Sequence, residues 1–214
     1  AGVYLVARLF PMFYFVEGGY ALNVVAYVGA FSSLFAAIIA LTQTDIKRVL
    51  AFSTMSQIGY MMLALGVSKY EGHEGLGYMA SMFHLFTHAM FKALLFLGAG
   101  SVIHAVHSNY LKDMGGLRKY MPITNITFLI AALAIAGFPL TSGFFSKDEI
   151  LVAAFEHNKL IYFSGVLVAG LTAFYMFRLY FGIFWGKDTQ YKHAPHESPL
   201  SMTLPLMLLA FISL

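Results

Sequence analysis

The chain has 214 residues, of which 59% are hydrophobic and 11% charged, with a formal net charge of +3. Soluble domains carry about 25% charged residues, so this composition excludes a soluble globular protein and indicates an integral membrane protein. The chain contains no cysteine, which excludes disulfides, cysteine-ligated zinc and iron–sulfur clusters within it. Its basic residues lie between apolar runs, as membrane topology requires, so we expect no nucleic-acid partner.

Neither end of the sequence resembles a natural terminus. Ala1 follows no initiator methionine and opens an apolar run, and Leu214 stops inside another. No signal peptide and no polar tail are visible. We therefore expect residues 1–214 to be an internal fragment of a longer polytopic protein and part of one transmembrane domain.

Apolar runs predict an all-α polytopic membrane protein with about five full spans, since a span takes about 20 residues. The run from Gly2 to Val16 is shorter and is expected to be the end of a span. The full spans, and the start of a last one, are expected at 22–41, 46–67, 76–107, 122–157, 160–185 and 200–214.

Lysine and arginine are distributed unequally between the connections. Seven of them lie in three connections on one side, at 42–48, 108–121 and 186–198. Two lie in the connections on the other side, at 17–21, 68–75 and 157–159. The positive-inside rule predicts that the first side is cytoplasmic.

Three ionisable residues share one face of the helix expected at 76–107. His84, His88 and Lys92 are four residues apart, which aligns them along an α-helix with a rise of about 6 Å per step. A charged group at membrane depth costs about 2.5–3.5 kcal/mol on insertion scales, so such a row indicates a function. Imidazole donates a proton at one nitrogen and accepts at the other, so the row, with bridging waters, suits a proton relay.

Glycine and proline interrupt the span expected at 122–157. They are concentrated in the run GFPLTSG at 137–143, which predicts a discontinuous helix near residues 137–147. Broken membrane helices occur where unwound backbone meets a polar cavity or an ion site. Lys147 and Asp148 follow this break, and because a carboxylate favours the charged form of a lysine, the two suit a gate for protons.

The histidine row has other interpretations. His84 and His88 can be core residues that bond to carbonyl groups, or metal ligands at i, i+4 spacing. Zinc needs a third ligand, for which Lys92 is poor, and haem takes axial histidines from opposite sides. We therefore expect no metal and no cofactor in this chain, although a zinc or haem protein and a purely structural scaffold stay open as alternatives.

Other polar residues also have two interpretations each. Lys147, Asp148 and Glu149 can simply cap the resumed half-helix, because acidic residues favour helix starts. Arg178 either pairs across helices or extends toward the membrane interface. Four polar residues of the helix at 46–67 either bond to neighbouring helices or line a wet path: Ser53, Thr54, Ser56 and Gln57.

Four motifs carry a resemblance to a known family. They are TDIKRVLAFSTMSQIGY at 44–60, FHLFTHAMFKALLFL at 83–97, MGGL at 114–117 and GFFSKDEI at 143–150. In this order they resemble the antiporter-like L-type subunits of bacterial NADH:quinone oxidoreductase, respiratory complex I, equivalent to mitochondrial chain 5. The resemblance covers essentially the whole chain, and its most specific part is the run FFSKDEI.

The resemblance implies an antiporter-like helix bundle that moves protons, coupled to NADH oxidation by quinone in other subunits. It implies a relay formed by His84, His88, Lys92, Lys147 and Asp148, with no cofactor or redox site in this chain. The implied partners are the lipid bilayer and other membrane subunits, especially the M-type antiporter-like subunit, in the inner membrane of a bacterial cell. The large subunit of an Mrp-type sodium/proton antiporter and a membrane subunit of a proton-pumping hydrogenase share much of the histidine–lysine helix and are the alternatives.

Overall fold

The computed structural model describes residues 1–15, 19–69, 75–186, 191 and 194–214. The orientation prediction uses Lys187 and Lys192, which lie outside the described residues. Within these ranges two 3-10 turns, Leu111–Asp113 and Leu117–Lys119, accompany the α-helices. The α-helices are α1 (Gly2–Phe15), α2 (Tyr20–Thr42), α3 (Ile46–Val67), α4 (Leu76–Val106), α5 (Pro122–Ala136), α6 (Ser142–His157), α7 (Lys159–Phe184) and α8 (Leu200–Ser213).

The predicted all-α membrane fold with a discontinuous helix is confirmed. Helices α2, α3, α4 and α7 are long and apolar enough to cross a bilayer, whereas α1, α5 and α8 are shorter apolar helices. The predicted interruption falls between α5 and α6. An isolated antiparallel bridge between Asp45 and Tyr110 joins the connection after α2 to the connection after α4, so these two polar segments lie on the same side.

The break between α5 and α6 is built by a glycine. Gly137 follows α5 in the left-handed conformation, with φ of 79°, which an L side chain rarely adopts. The backbone N–H groups of Gly137 and Phe138 donate to the carbonyls of Ala134 and Leu133, at 3.1 and 3.0 Å, in the manner of a Schellman motif. The carbonyl of Ile135 has no helical partner in this arrangement, because α5 has already ended.

The long helix α4 lies at the centre of the bundle, packed against α3, α5, α6 and α8, while α2 covers α3 and α7. Small residues bring α2 and α3 together. At Gly29, Gly59 and Gly66 an added β-carbon would collide with backbone atoms of the facing helix. Close approach of this kind is how membrane helices gain packing energy without a hydrophobic driving force.

Arg178 of α7 satisfies the end of α2. Its Nη2 donates to the carbonyls of Ala40 and Gln43, at 3.2 and 2.7 Å. The last carbonyls of a helix have no partner within it, and a cation there also meets the negative end of the helix dipole. Of the two interpretations of Arg178, the structure therefore shows the contact across helices.

Glu197 caps the start of α5 from far along the chain. Its carboxylate accepts hydrogen bonds from the backbone N–H groups of Ile123 and Thr124, at 2.8 and 3.2 Å, and from the Thr124 hydroxyl at 2.6 Å. Helix caps contribute about 1 kcal/mol, and charged acceptors contribute more than neutral ones. We expect Glu197→Ala to lower the midpoint of thermal unfolding of the purified protein.

The control for this prediction is Glu156→Ala. Glu156 is exposed near the end of α6, where a negative charge gains nothing from the helix dipole. Its removal is expected to leave the midpoint unchanged, and equal shifts for the two variants would contradict the capping role of Glu197.

Candidate functional site

The structure places the predicted histidine–lysine row inside the bundle. His84, His88 and Lys92 of α4 are exposed by only 0%, 7% and 5%. The ring centroids of His84 and His88 are 6.1 Å apart, which is too long for a direct hydrogen bond between two imidazoles. A buried polar group needs partners, so the site is defined by what each of these side chains contacts.

His84 bridges two other helices. Its Nδ1 lies 2.8 Å from the Ser146 hydroxyl of α6, and its Nε2 lies 3.0 Å from Oε1 of Gln57 on α3. The hydroxyl of Thr87, three residues after His84 on α4, is 3.2 Å from the same Ser146 oxygen. Both ring nitrogens of His84 are therefore engaged in a closed polar cluster.

Lys92 is held by uncharged oxygens of α3. Its Nζ donates to the backbone carbonyl of Leu50 at 3.1 Å and to the Ser53 hydroxyl at 2.8 Å. The ammonium also lies 6.0 Å from the ring centroid of Phe96. These contacts hold a buried ammonium group without a carboxylate, which leaves its charge only partly compensated.

A chain of hydrogen bonds joins Lys92 to His84 through α7. The Tyr175 hydroxyl donates to Ser53 at 3.0 Å and lies 3.4 Å from the hydroxyl of Thr172. Gln57, which contacts His84, also lies 3.5 Å from Thr172. The hydrogen-bonded path from Lys92 to His84 therefore runs through side chains of α3 and α7.

His88 lies between the two groups without entering this path. Its ring packs edge-on against Phe91, with centroids 5.4 Å apart. Among the described residues its buried Nε2 has no hydrogen-bond partner. A proton that passes through His88 in this geometry needs a water at Nε2, and the bridging waters expected from the four-residue spacing stay a prediction.

Lys147 lies at the break between α5 and α6. Its Nζ donates to the carbonyl of Ile135, the group that the early end of α5 leaves without a helical partner. A β-carbon at Gly137 would lie 3.4 Å from Cδ of Lys147, so the lysine stem packs against the glycine that ends α5. The negative end of the α5 dipole also favours a cation at this position.

Asp148 does not join Lys147 in the structure. Lys147 is buried, whereas Asp148 is exposed on another face of α6. Successive residues of an α-helix point about 100° apart, so neighbours in sequence do not face the same surroundings. The expected contact between the Lys147 ammonium and the Asp148 carboxylate is therefore wrong, and carbonyl contact replaces it.

The four polar residues of α3 fall into two pairs with different roles. Ser53 and Gln57 contact Lys92 and His84. Ser56 donates to the carbonyl of Ser33 at 2.9 Å, and Thr54 donates to Leu50 within its own helix. Only the first two belong to the polar cluster, and the other two satisfy backbone groups.

Four polar residues of the cluster were missed by the sequence interpretation, namely Thr87, Ser146, Thr172 and Tyr175. The only signal for the last two is a three-residue spacing of polar groups within an apolar helix, which places them on one face of α7. Within the described ranges, no three histidine, aspartate or glutamate side chains are arranged to hold one metal ion.

Comparison with protein families and curated proteins gives a consistent match. A family model described as "NADH:quinone oxidoreductase/Mrp antiporter, TM" matches residues 1–173. Chain 5 of the NAD(P)H-quinone oxidoreductase of Picosynechococcus sp. is 51% identical over 98% of this chain and 35% of its own length. F(420)H(2) dehydrogenase subunit L of Methanosarcina mazei is 52% identical over 100% of this chain and 33% of its own length. The chain thus spans about a third of the length of these relatives.

Two solved membrane complexes contain a chain of the same fold. The membrane-bound sulfane sulfur reductase, an archaeal respiratory complex, matches with a TM-score of 0.86 and 28% identity over 99% of this chain and 42% of that chain. The Mrp complex of Dietzia sp. DQ12-45-1b matches with a TM-score of 0.85 and 24% identity over 99% of this chain and 46% of that chain. The antiporter-like fold and the family resemblance predicted from the four motifs are confirmed.

Proposed function

Because the chain belongs to the NADH:quinone oxidoreductase/Mrp antiporter transmembrane family, we propose that it is part of the proton-translocating L-type subunit of an NADH:quinone oxidoreductase. Residues 1–214 then form part of one transmembrane domain in the inner membrane of a bacterial cell. Its partners are other membrane subunits, especially the M-type antiporter-like subunit. NADH oxidation by quinone takes place in other subunits, and this chain holds no cofactor and no redox site.

The observation that carries the proposal is the hydrogen-bonded cluster between Lys92 and Ser146. It connects an ammonium group to the residue before Lys147, through His84, inside a bundle whose core is mostly apolar. Ionisable groups at membrane depth are costly and mark proton or ion routes. Hydroxyl and imidazole groups both donate and accept, which is what successive proton transfer requires. The Gln57 amide between Thr172 and His84 does not itself pass a proton, so transfer across that gap needs a water.

Each predicted site residue has a place in this proposal. His84, Lys92 and Lys147 are the buried groups that exchange protons, and His88 adds a water-assisted branch beside them. Asp148 lies on an exposed face of α6, and we propose that it exchanges protons with water or with a neighbouring part of the complex.

A sodium/proton antiporter is the second candidate, because the family description covers Mrp antiporters as well. A membrane subunit of a proton-pumping hydrogenase is the third candidate, which the sequence left open because of the histidine–lysine helix. The candidates differ in what drives the proton: electrons from NADH, a sodium gradient or hydrogen chemistry.

Addition of NADH to inverted membrane vesicles that contain the assembled complex is expected to acidify their interior without added sodium. Moving one charge against 100 mV costs about 2.3 kcal/mol, which NADH oxidation supplies in the proposed complex. Acidification is measured with a pH-sensitive dye, and a protonophore that abolishes it serves as the control. Acidification that depends on a sodium gradient and does not respond to NADH would favour the antiporter instead.

A further inference from the structure

The contacts of His84 fix which of its nitrogens carries the proton. Oε1 of Gln57 is a carbonyl oxygen and can only accept, so the Nε2 atom 3.0 Å away must donate. A neutral imidazole has one N–H, so Nδ1 is the acceptor and receives the hydroxyl proton of Ser146 at 2.8 Å. Neutral His84 is therefore held as the Nε2–H tautomer.

The other end of the Gln57 amide faces α7. Its NH₂ group donates to the hydroxyl oxygen of Thr172 at 3.5 Å, and Thr172 donates its own proton to the carbonyl of Val168 at 2.7 Å. Gln57 is fully buried and lies between the α7 hydroxyl groups and His84. An amide donates at nitrogen and accepts at oxygen, but it does not itself pass a proton from one side to the other.

Gln57 has a second orientation of nearly the same shape. A half-turn about its last side-chain torsion exchanges the oxygen and the nitrogen, which occupy almost equal volumes. The NH₂ group would then donate to Nε2 of His84, which must accept, so the imidazole proton would lie on Nδ1 and be donated to Ser146. The amide oxygen would accept from Thr172, whose hydroxyl proton would turn to it from the carbonyl of Val168.

We propose that Gln57 is a positioning residue whose amide rotation switches His84 between its two tautomers, so that a proton crosses the imidazole only when the amide turns. This inference rests on the proposed proton translocation. A proton that reaches Nδ1 from Ser146 gives an imidazolium, and in the observed orientation the same proton returns. Net transfer needs Ser146 to take a replacement proton from its other side and the Nε2 proton to leave to a water, after which the rotated amide donates to the vacated nitrogen. One proton enters, one leaves, and His84 passes from the neutral Nε2–H tautomer to the neutral Nδ1–H tautomer.

Other titratable groups face this switch from every helix packed around it. They are Tyr60 on α3, His88 and Lys92 on α4, Lys147 on α6 and Tyr175 on α7. When Lys92 and Lys147 are protonated, their positive charges oppose a further positive charge on His84, so the imidazolium is a transient state. A device that returns His84 to a neutral tautomer fits these surroundings.

A purely structural role for Gln57 makes a different prediction. If the side chain only holds His84 in place, an acceptor at this position suffices, and a glutamate serves equally well. If the amide must alternate, a carboxylate fails because it cannot donate, whereas a protonated carboxyl group, which donates and accepts, works again.

The experiment is proton pumping by the assembled complex carrying Gln57→Glu, in membrane vesicles, from about pH 8 to about pH 5. We expect pumping about tenfold below that of the unsubstituted complex at the alkaline end, and recovery toward it as the pH falls. Ser56→Ala is the matched control. Ser56 is the preceding residue, equally buried, and bonds to Ser33 away from the cluster, so pumping is expected to stay within about twofold at every pH.

Two results would overturn the switch. If Gln57→Glu pumps like the unsubstituted complex at every pH, an acceptor suffices and the amide need not turn. If pumping is lost and does not recover on acidification, a side chain that both donates and accepts does not replace the amide, which also contradicts the switch. The ¹⁵N resonances of histidine provide a readout that needs no pumping. The signal of a buried Nε2–H tautomer is expected in the unsubstituted complex and lost in Gln57→Leu, and an unchanged signal contradicts the inference even if the complex transports no protons.

Discussion

Replacing Lys147 with Met is expected to lower NADH-driven proton pumping by the assembled complex about tenfold or more. Methionine fills nearly the same volume but cannot hold a proton. The ammonium of Lys147 meets the carbonyl of Ile135, and the break that ends α5 at Gly137 makes this contact possible. The hydrogen bond of Lys147 goes to Ile135 and not to the cluster, but Lys147 follows Ser146, which contacts His84, so loss of the ammonium removes the ionisable group next in the chain to that end of the cluster.

The measurement is acidification of inverted vesicles on addition of NADH, with the amount of assembled complex determined in parallel. Lys159→Met is the matched control, since Lys159 is exposed at the start of α7 and lies outside the cluster. Pumping at the unsubstituted level by Lys147→Met, with the complex assembled, would remove Lys147 from the relay. Loss of assembly in Lys147→Met would instead assign it a role in the fold.

Local patterns were enough to predict the membrane helices and the break, whereas the antiporter-like arrangement followed from the resemblance of the four motifs. The lengths of the apolar runs gave the helices, because crossing a bilayer imposes a minimum length on each span. The break was readable because glycine and proline end helices through their own backbone geometry, as Gly137 does with its positive φ. These features depend on neighbours in sequence, which the sequence displays directly.

The partners within the site depend on residues far apart in sequence. Gln57 and Thr172 are 115 residues apart and Ser53 and Tyr175 are 122 apart, so only the packing of α3 against α7 brings them together. Sequence spacing along α4 predicted a row with water between its members, but it gave no sign of the path through α7. The expected pairing of Asp148 with its neighbour failed for the related reason that adjacency in a helix separates side chains.

Gly143→Ala is expected to reduce the amount of assembled complex severely, with a loss of stability of about 3 kcal/mol or more. An added β-carbon at Gly143 would collide with the backbone carbonyl of Ala134. That carbonyl cannot move freely, since it accepts the N–H of Gly137 that closes α5. The collision therefore forces α6 away from α5, and any complex that still assembles carries a displaced Lys147. Assembly is measured on native gels and stability by the midpoint of thermal unfolding.

Gly100→Ala separates this collision from the general effect of adding a methyl group to a helix. No atom lies within 4 Å of the position that its β-carbon would take on α4. Alanine is a better helix former than glycine by about 1 kcal/mol, so this variant is expected to assemble at least as well as the unsubstituted protein. If both variants assembled equally, the contact between α5 and α6 would tolerate a side chain at residue 143. The close approach of these two helices would then not be needed to hold Lys147 against the end of α5.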